Sequence, residues 1–213
     1  MRNKLKREKN KTMTEQVYEK LEHLIVFCEI KPGTVLSETE ISEMIGAGRT
    51  PVREALRLLA RESLVNISRI GVLIPEMSAT IQLELLEVRR AILHLCVKSA
   101  IHRLTQLDKN AIQELLDSVD EKDEVAFYHW LKQRHKVLGK CSKNHFIHQE
   151  LSNVQGLSNR FWYYYAKPEN HEEGKILHKN ILEAILKKDL QMACLRVDEL
   201  MDYLEKFVRN NSI

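Results

Sequence analysis

Glycine and proline are scarce in this 213-residue chain, at 7 and 4 residues, and aromatic residues make up only 6%. Collagen-like and low-complexity chains need far more of the first two, so both classes are excluded. The four cysteines, Cys28, Cys96, Cys141 and Cys194, stand far apart with no C-x-x-C pair. That spacing suits neither a disulfide framework nor a zinc ribbon, and reduced buried thiols are expected. Charge interrupts every apolar run well before the ~20 residues that a membrane-spanning helix needs. The opening residues MRNKLKREKNK lead into TMTEQVYEKL and not into the ~7–15-residue apolar core of a secretory signal, so a cytoplasmic protein is expected.

The residues that are plentiful are helix formers. With 44% hydrophobic and 30% charged residues and a mean hydropathy of −0.35, the composition is that of a globular chain, long enough for one large domain or two small ones. Its net charge of +3 is uneven. Arg2, Lys4, Lys6, Arg7, Lys9 and Lys11 face Glu8 alone in residues 1–11, which read as a basic disordered tail with a non-specific attraction for phosphate.

From Thr14 to about Glu76 the hydrophobic period changes several times. Val17, Leu21, Leu24, Ile25 and Cys28 follow helical spacing, so a helix is predicted over Thr14–Glu29, ended by Lys31-Pro32-Gly33. Ser37-x-x-Glu40 is a capping box opening a short helix, Glu38–Ile45. Gly46-Ala47-Gly48 allows a sharp turn, and Thr50-Pro51 supplies an N-cap hydroxyl and a first-turn proline for a third helix to about Glu62. Leu64–Ser68 and Val72–Ile74 are β-prone runs flanking Arg69-Ile70-Gly71 and read as a hairpin. This order is that of a winged helix-turn-helix, predicted over residues 12–76. On the third helix Arg49, Arg53, Arg57 and Arg61 recur every four residues opposite Val52, Ala55, Leu56, Leu58 and Leu59. The row reads either as a nucleic-acid-binding face or as a solvated one with Glu54 and Glu62 as partners.

The run V-Y-E-K-L…I-K-P-G-T-V-L-S-E…I-G-A-G-R-T-P-V-R-E-A-L-R-L-L-A…L-V…G-V, over Val17–Ile74, resembles the DNA-binding domain of GntR-family bacterial repressors. The resemblance implies an operator-contacting set of Ser37, Thr39, Gly48, Arg49, Thr50, Arg53, Arg69 and Gly71. In it the arginines reach guanine edges or phosphates, Ser37 caps the preceding helix, and Arg69 and Gly71 form a wing tip in the minor groove. Three positions depart from the family pattern: Thr39 stands for an arginine, Gly48 for a serine or threonine, and Ser63 for a glycine.

Residues 77–213 are predicted to be all-helical, as six amphipathic segments at about Ala79–Leu104, Asp108–Asp120, Lys122–Lys140, Asn144–Ala166, Asn170–Lys187 and Leu190–Arg209. Glu87-Val88-Arg89, His135…Asn144 and His178…Asp189…Ala193 resemble the FCD effector domain of the FadR-like branch of the same family. Many FCD domains hold Zn²⁺ or a similar ion with one Asp and three His. Those positions fall here on Leu131, His135, His178 and Leu200, so no metal cofactor is expected. The resemblance instead implies an effector pocket with Arg89 as carboxylate partner and His135 and His178 as polar anchors. The alternative readings are core histidines bonded to backbone and, for Arg89, a surface ion pair with Glu87 or Glu84. The run Phe161-Trp162-Tyr163-Tyr164-Tyr165 is read as interdomain or dimer packing.

The whole is predicted to be a mostly α protein, a homodimeric, ligand-controlled repressor that binds double-stranded DNA and is not an enzyme. Two alternatives stand beside it: a constitutive dimeric repressor without ligand, and a His-rich helical metalloenzyme. Against the enzyme, there is no G-x-S-x-G elbow, no Gly-rich phosphate loop and no H-E-x-x-H, since Lys175 follows His171 at the ligand spacing.

Overall fold

A computed structural model describes residues 11–118 and 123–211. The expected basic tail therefore lies outside the described residues except for Lys11, whose Nζ bonds Glu19 at 2.6 Å. Chain contacts divide the molecule into two compact units that part between Met77 and Ser78.

In the first unit, helix α1 (Met13–Val26) begins at a Thr12/Glu15 capping box and ends three residues earlier than expected. The stop is Cys28, held at φ 57° in the left-handed region ahead of the Pro-Gly turn. Strand β1 (Val35–Leu36) precedes α2 (Glu38–Ile45), which has the predicted Ser37/Glu40 capping box and ends on Gly46 at φ 74°. Helix α3 (Arg49–Arg61) starts one residue after Gly48, so Thr50 is inside the helix and not its cap, a correction to the sequence reading. The extended conformation of Gly48 (φ −66°, ψ 160°) is the cap geometry that the expectation had placed on Thr50.

Strands β2 (Asn66–Ser68) and β3 (Gly71–Leu73) form the expected hairpin, and β1 adds to β3 to give the order β1-β3-β2. At two residues, β1 is too short for alternation to reveal it. Val72 pairs with both Leu36 and Ile67. Gly71, at φ 137°, has no room for a side chain, since a Cβ there would lie 2.8 Å from the Leu36 carbonyl oxygen. The core of this unit is Val17, Leu21 and Ile25 of α1 against Ile41, Val52, Leu56 and Leu59, closed below by Leu64, Val72 and Ile74.

The second unit is helical throughout its described residues: α4 (Ala79–Arg103), α5 (Gln106–Asp117), α6 (Glu124–Cys141), α7 (His145–Asn153), α8 (Gln155–Tyr165), α9 (Pro168–Leu186) and α10 (Leu190–Asn210). Polar caps set the starts: Ser78, Thr105, Asp123, Asn144 and Asp189 each accept a first-turn N–H. The segment expected as one helix over Asn144–Ala166 is two, broken at Val154, beside Gly156 where helix propensity is low. Asp120 and Lys122, expected helix ends, lie outside the described residues. Leu86, Leu93 and Val97 of α4 meet Val197, Leu200 and Leu204 of α10 and Ile181 and Ile185 of α9 in the core. Arg90 ties α4 to α10 through Asp198, Asp202 and Glu205 at 2.9, 2.6 and 2.9 Å. Among the described residues no helix is long and apolar enough to cross a membrane.

Candidate DNA-binding face and effector cavity

Helix α3 separates its residues by side. Val52, Ala55, Leu56 and Leu59 are buried, and Arg49, Arg53, Arg57 and Arg61 are exposed. Leu58, expected on the apolar side, is exposed instead, since it follows Arg57 on the outer side of the helix. The interleaved acids are engaged toward α1, where Glu54 accepts from the Thr14 hydroxyl and Glu62 from the Tyr18 hydroxyl, both at 2.8 Å. Arg49, Arg57 and Arg61 have no hydrogen-bond or ion-pair partner among the described residues. Arg53 differs, because its fork grips Glu38 of α2, with Nη2 at 2.7 Å and Nε at 3.2 Å from the carboxylate. That bond, with the nearby charges of Arg49 and Arg57, holds the Glu38 carboxyl below the usual range.

The α3 N-terminus has no side-chain cap. Its first N–H groups and the helix dipole are therefore open to a phosphate next to exposed Arg49 and Thr50. Thr39 is exposed on the first turn of α2, and Ser37 is bound up in its capping box. At the wing tip Arg69 and Ile70 connect β2 to β3, steadied by Ser68 Oγ, which donates to the Gly71 carbonyl at 3.1 Å. Ile70 is 85% exposed, an apolar wedge that sequence reasoning did not single out.

The second unit encloses a cavity of about 20 Å³, lined by Arg89, Ser158, Asn159 and His178 and by an apolar wall that includes Phe127, Leu131, Trp162, Leu200 and Leu204. Arg89 is 3% exposed, with burial lowering its pKa to about 10. Its Nη1 donates to Ser158 Oγ at 2.6 Å, and Gln82 Nε2 donates to the same oxygen at 3.2 Å. Its Nε is buried without a partner. Arg134 of α6 is wholly buried, and burial with the Arg89 charge brings its pKa down to about 9. Its Nη1 lies 3.3 Å from His135 Nε2, and its Nε and Nη2 have no partner.

His135 Nδ1 stands 2.7 Å from the Leu131 carbonyl, so Nδ1 carries the proton and Nε2 accepts from Arg134. Burial and the two guanidinium charges hold both His135 and His178 well below the usual imidazole range. The cluster is thus two cations and two neutral imidazoles. No carboxylate of the described residues pairs with either arginine.

Residues 13–72 match the model for bacterial regulatory proteins of the gntR family, and residues 84–203 match the FCD domain. The chain belongs to the GntR family. It is 25% identical over 186 residues to the HTH-type transcriptional regulator YdhC of Bacillus subtilis, covering 84% of this chain and 83% of the relative. A 44% identical stretch of 57 residues in a regulator from an unstable DNA locus of Streptomyces ambofaciens covers only 24% of that protein. The solved structure of Escherichia coli McbR/YncC shares the fold with a TM-score of 0.74 at 23% identity, covering 94% of this chain and 98% of that one.

This GntR member is thus a DNA-binding transcriptional regulator with an FCD effector domain. The structure brings Arg89, His178, Leu131 and Leu200 to one cavity and puts His135 beside them, where the FCD resemblance had aligned them. Leucine at two positions and a guanidinium on His135 Nε2 do not make the Asp-and-three-His donor set of metal-holding FCD domains. His129 is exposed, and His171 accepts from Trp162 Nε1 at 3.2 Å, so neither joins His178 at the cavity.

One expectation changes. Trp162 lines the cavity and Phe161 is buried in the same unit, so the aromatic run is not simply surface for interdomain or dimer packing. Arg89 is at the cavity and not in the alternative surface ion pair with Glu84 or Glu87; surface pairing belongs to its neighbour Arg90, with α10 acids. Arg134, Ser158 and Asn159 went unnoticed in the sequence. A polar residue at a core phase of helices α6 and α8 was the available signal.

Proposed function

We propose that this chain is a homodimeric repressor that reads two half-sites of a pseudo-palindromic operator and is released from DNA when a small molecule occupies the FCD cavity. The reading rests above all on the α3 face. Three guanidiniums without protein partners, an uncapped helix N-terminus and an exposed wing tip present cations and free N–H groups to a duplex. In this reading Arg49, Thr50, Arg53 and Arg69 contact the operator directly. Ser37 and Gly48 set the approach of α2 and α3, Gly71 lets the wing pack on β1, and Thr39 is a weaker contact than an arginine.

Dimerisation is supported by α4, where Ile81, Val88 and Leu95 recur every seven residues and are each about half exposed. Such a stripe on a helix is self-complementary about a two-fold axis. Arg89, His135 and His178 are the polar anchors for the effector, with no metal, no catalytic role and a cytoplasmic setting. The small size of the cavity, room for about one water, favours the constitutive reading, in which this unit only dimerises. Two buried cations without counter-charge favour a ligand.

Titrating labelled operator DNA with full-length protein tests the reading. Phosphate neutralisation releases counterions, so with ~6–10 phosphate contacts per dimer affinity falls about 10³–10⁵-fold between 50 and 200 mM salt. A shallow slope, or a complex of one protomer per operator, would contradict it.

A further inference from the structure

An unpaired buried charge is expensive, and cores avoid it unless something else supplies the counter-charge. This core contains two. Arg89, 3% exposed, and Arg134, with no exposure, both keep N–H groups that meet no acceptor, namely Arg89 Nε and Arg134 Nε and Nη2. The Ser158 hydroxyl adds a third donor. Its oxygen already accepts from Arg89 and from Gln82, and its own O–H has no acceptor among the described residues. These donors come from three helices, α4, α6 and α8. Arg89 and Ser158 line the cavity, whose remaining wall is largely apolar, and Arg134 stands behind that lining, close enough for its charge to act on Arg89 and on His178.

Both arginines remain protonated at neutral pH, while both imidazoles remain neutral. The guanidinium of Arg134 also occupies His135 Nε2, the lone pair through which that imidazole would hold a metal ion. The cation of this site is therefore built from side chains.

We propose that Arg89 and Arg134, with Ser158, form a metal-free anion site, and that the effector of this regulator presents a doubly charged oxyanion group to it. This deepens the effector reading above and rests on it. Two guanidiniums balance two negative charges, and their planar forks match the oxygens of a phosphate or of paired carboxylates. A phosphate monoester and a small dicarboxylate share this chemistry. The apolar wall of Phe127, Leu131, Trp162 and Leu204 takes the uncharged remainder, and the wall opens to admit it because the cavity is about 20 Å³.

The test uses full-length protein at constant ionic strength and pH 7.5, with inorganic phosphate, succinate and butyrate as probes, read by melting temperature and titration calorimetry. Phosphate or succinate is expected to raise the melting temperature saturably, while butyrate, a single carboxylate, is at least tenfold weaker. A response to phosphate alone identifies a phosphate monoester as the source; a response to succinate alone identifies a dicarboxylate. Arg134→Met and Arg89→Met should each weaken the dianion about 10- to 100-fold, the loss of a charge-assisted hydrogen-bonding partner.

Without probe, Arg134→Met should melt at or above the wild type, because an apolar side chain replaces an uncompensated charge. A purely structural arginine would lose stability instead. Arg134→Gln makes the same affinity test should the Met variant not fold. The proposal is overturned if neither dianion binds, if butyrate binds as well as succinate, or if the arginine variants respond like the wild type. Operator affinity measured without probe keeps the two readings apart. Wild-type protein that binds its operator but no dianion overturns this site alone, and wild-type protein that binds no operator overturns the regulator reading.

Discussion

Replacing Leu131 with aspartate and, separately, with asparagine reports the sign of the potential in the FCD core. Leu131 is 4% exposed, lines the cavity with Arg89, and precedes Arg134 by three residues on α6, which puts the two on one helix face. In an ordinary apolar core the amide is the milder insult. An unsatisfied buried amide costs about 1–3 kcal/mol, and an unpaired carboxylate costs several kcal/mol. Here the order should invert, because a carboxylate ~4 Å from a guanidinium gains about 4 kcal/mol at an effective dielectric of ~20. Leu131→Asp should therefore be more stable than Leu131→Asn by about 1–4 kcal/mol. For a chain of this size that is a gap of roughly 2–4 °C per kcal/mol. Both tryptophans, Trp130 and Trp162, lie in this unit, so their fluorescence follows its melting alone. In an Arg134→Met background the gap should shrink or reverse, which makes the comparison a double-mutant cycle. An asparagine variant that equals or exceeds the aspartate variant in the parent background would refute the reasoning.

Arg53→Ala should lower operator affinity about 10- to 100-fold by fluorescence anisotropy, as expected for a guanine contact at the start of a recognition helix, and Arg61→Ala less than about threefold; equal losses would mean a different helix pose. Ser63, just past α3 at φ 58°, is a serine in a backbone region that suits glycine. Ser63→Gly should stabilise the first unit by about 0.5–1 kcal/mol in chemical denaturation, the left-handed penalty less the extra chain entropy of glycine. Buried His135 and His178 stay neutral in the folded state, whereas unfolded imidazoles protonate near 6.5. Proton uptake by the unfolded chain should make stability of the second unit fall as pH drops from about 6.5 to 5, and His178→Phe should flatten that fall.

The parts of this molecule legible in its sequence are those written in local chemistry. Ser37-x-x-Glu40 and Asn144 mark helix starts because a side-chain oxygen there has an N–H to satisfy, and the structure uses both. The ends are harder to read because glycine is scarce. Cys28, Ser63, Lys143 and Lys188 all take left-handed backbone where glycine would have announced the stop. The shift of the α3 cap from Thr50 to Gly48 has a similar origin, since glycine can begin a helix without a recognisable capping side chain. Alignment with FCD domains found the positions of Leu131, His135, His178 and Leu200, yet Arg134 escaped notice. An arginine on a helix is ordinarily a solvated residue, and only the packing of α4, α5 and α7 against α6 makes this one a buried cation. The same holds for Ser158 and Trp162, whose place at the cavity depends on the break at Val154 that periodicity did not show.

The central claim is that a two-fold pair of α3 helices reads specific DNA. Selection of bound duplexes from a random-sequence library by purified full-length protein, over several rounds in 150 mM salt, tests it most directly. The account predicts enrichment of a pseudo-palindrome with two half-sites about one helical turn or less apart, lost when Arg49 and Arg53 are both changed to alanine. A library that stays unenriched, or that yields a single asymmetric site indifferent to those two arginines, would contradict it.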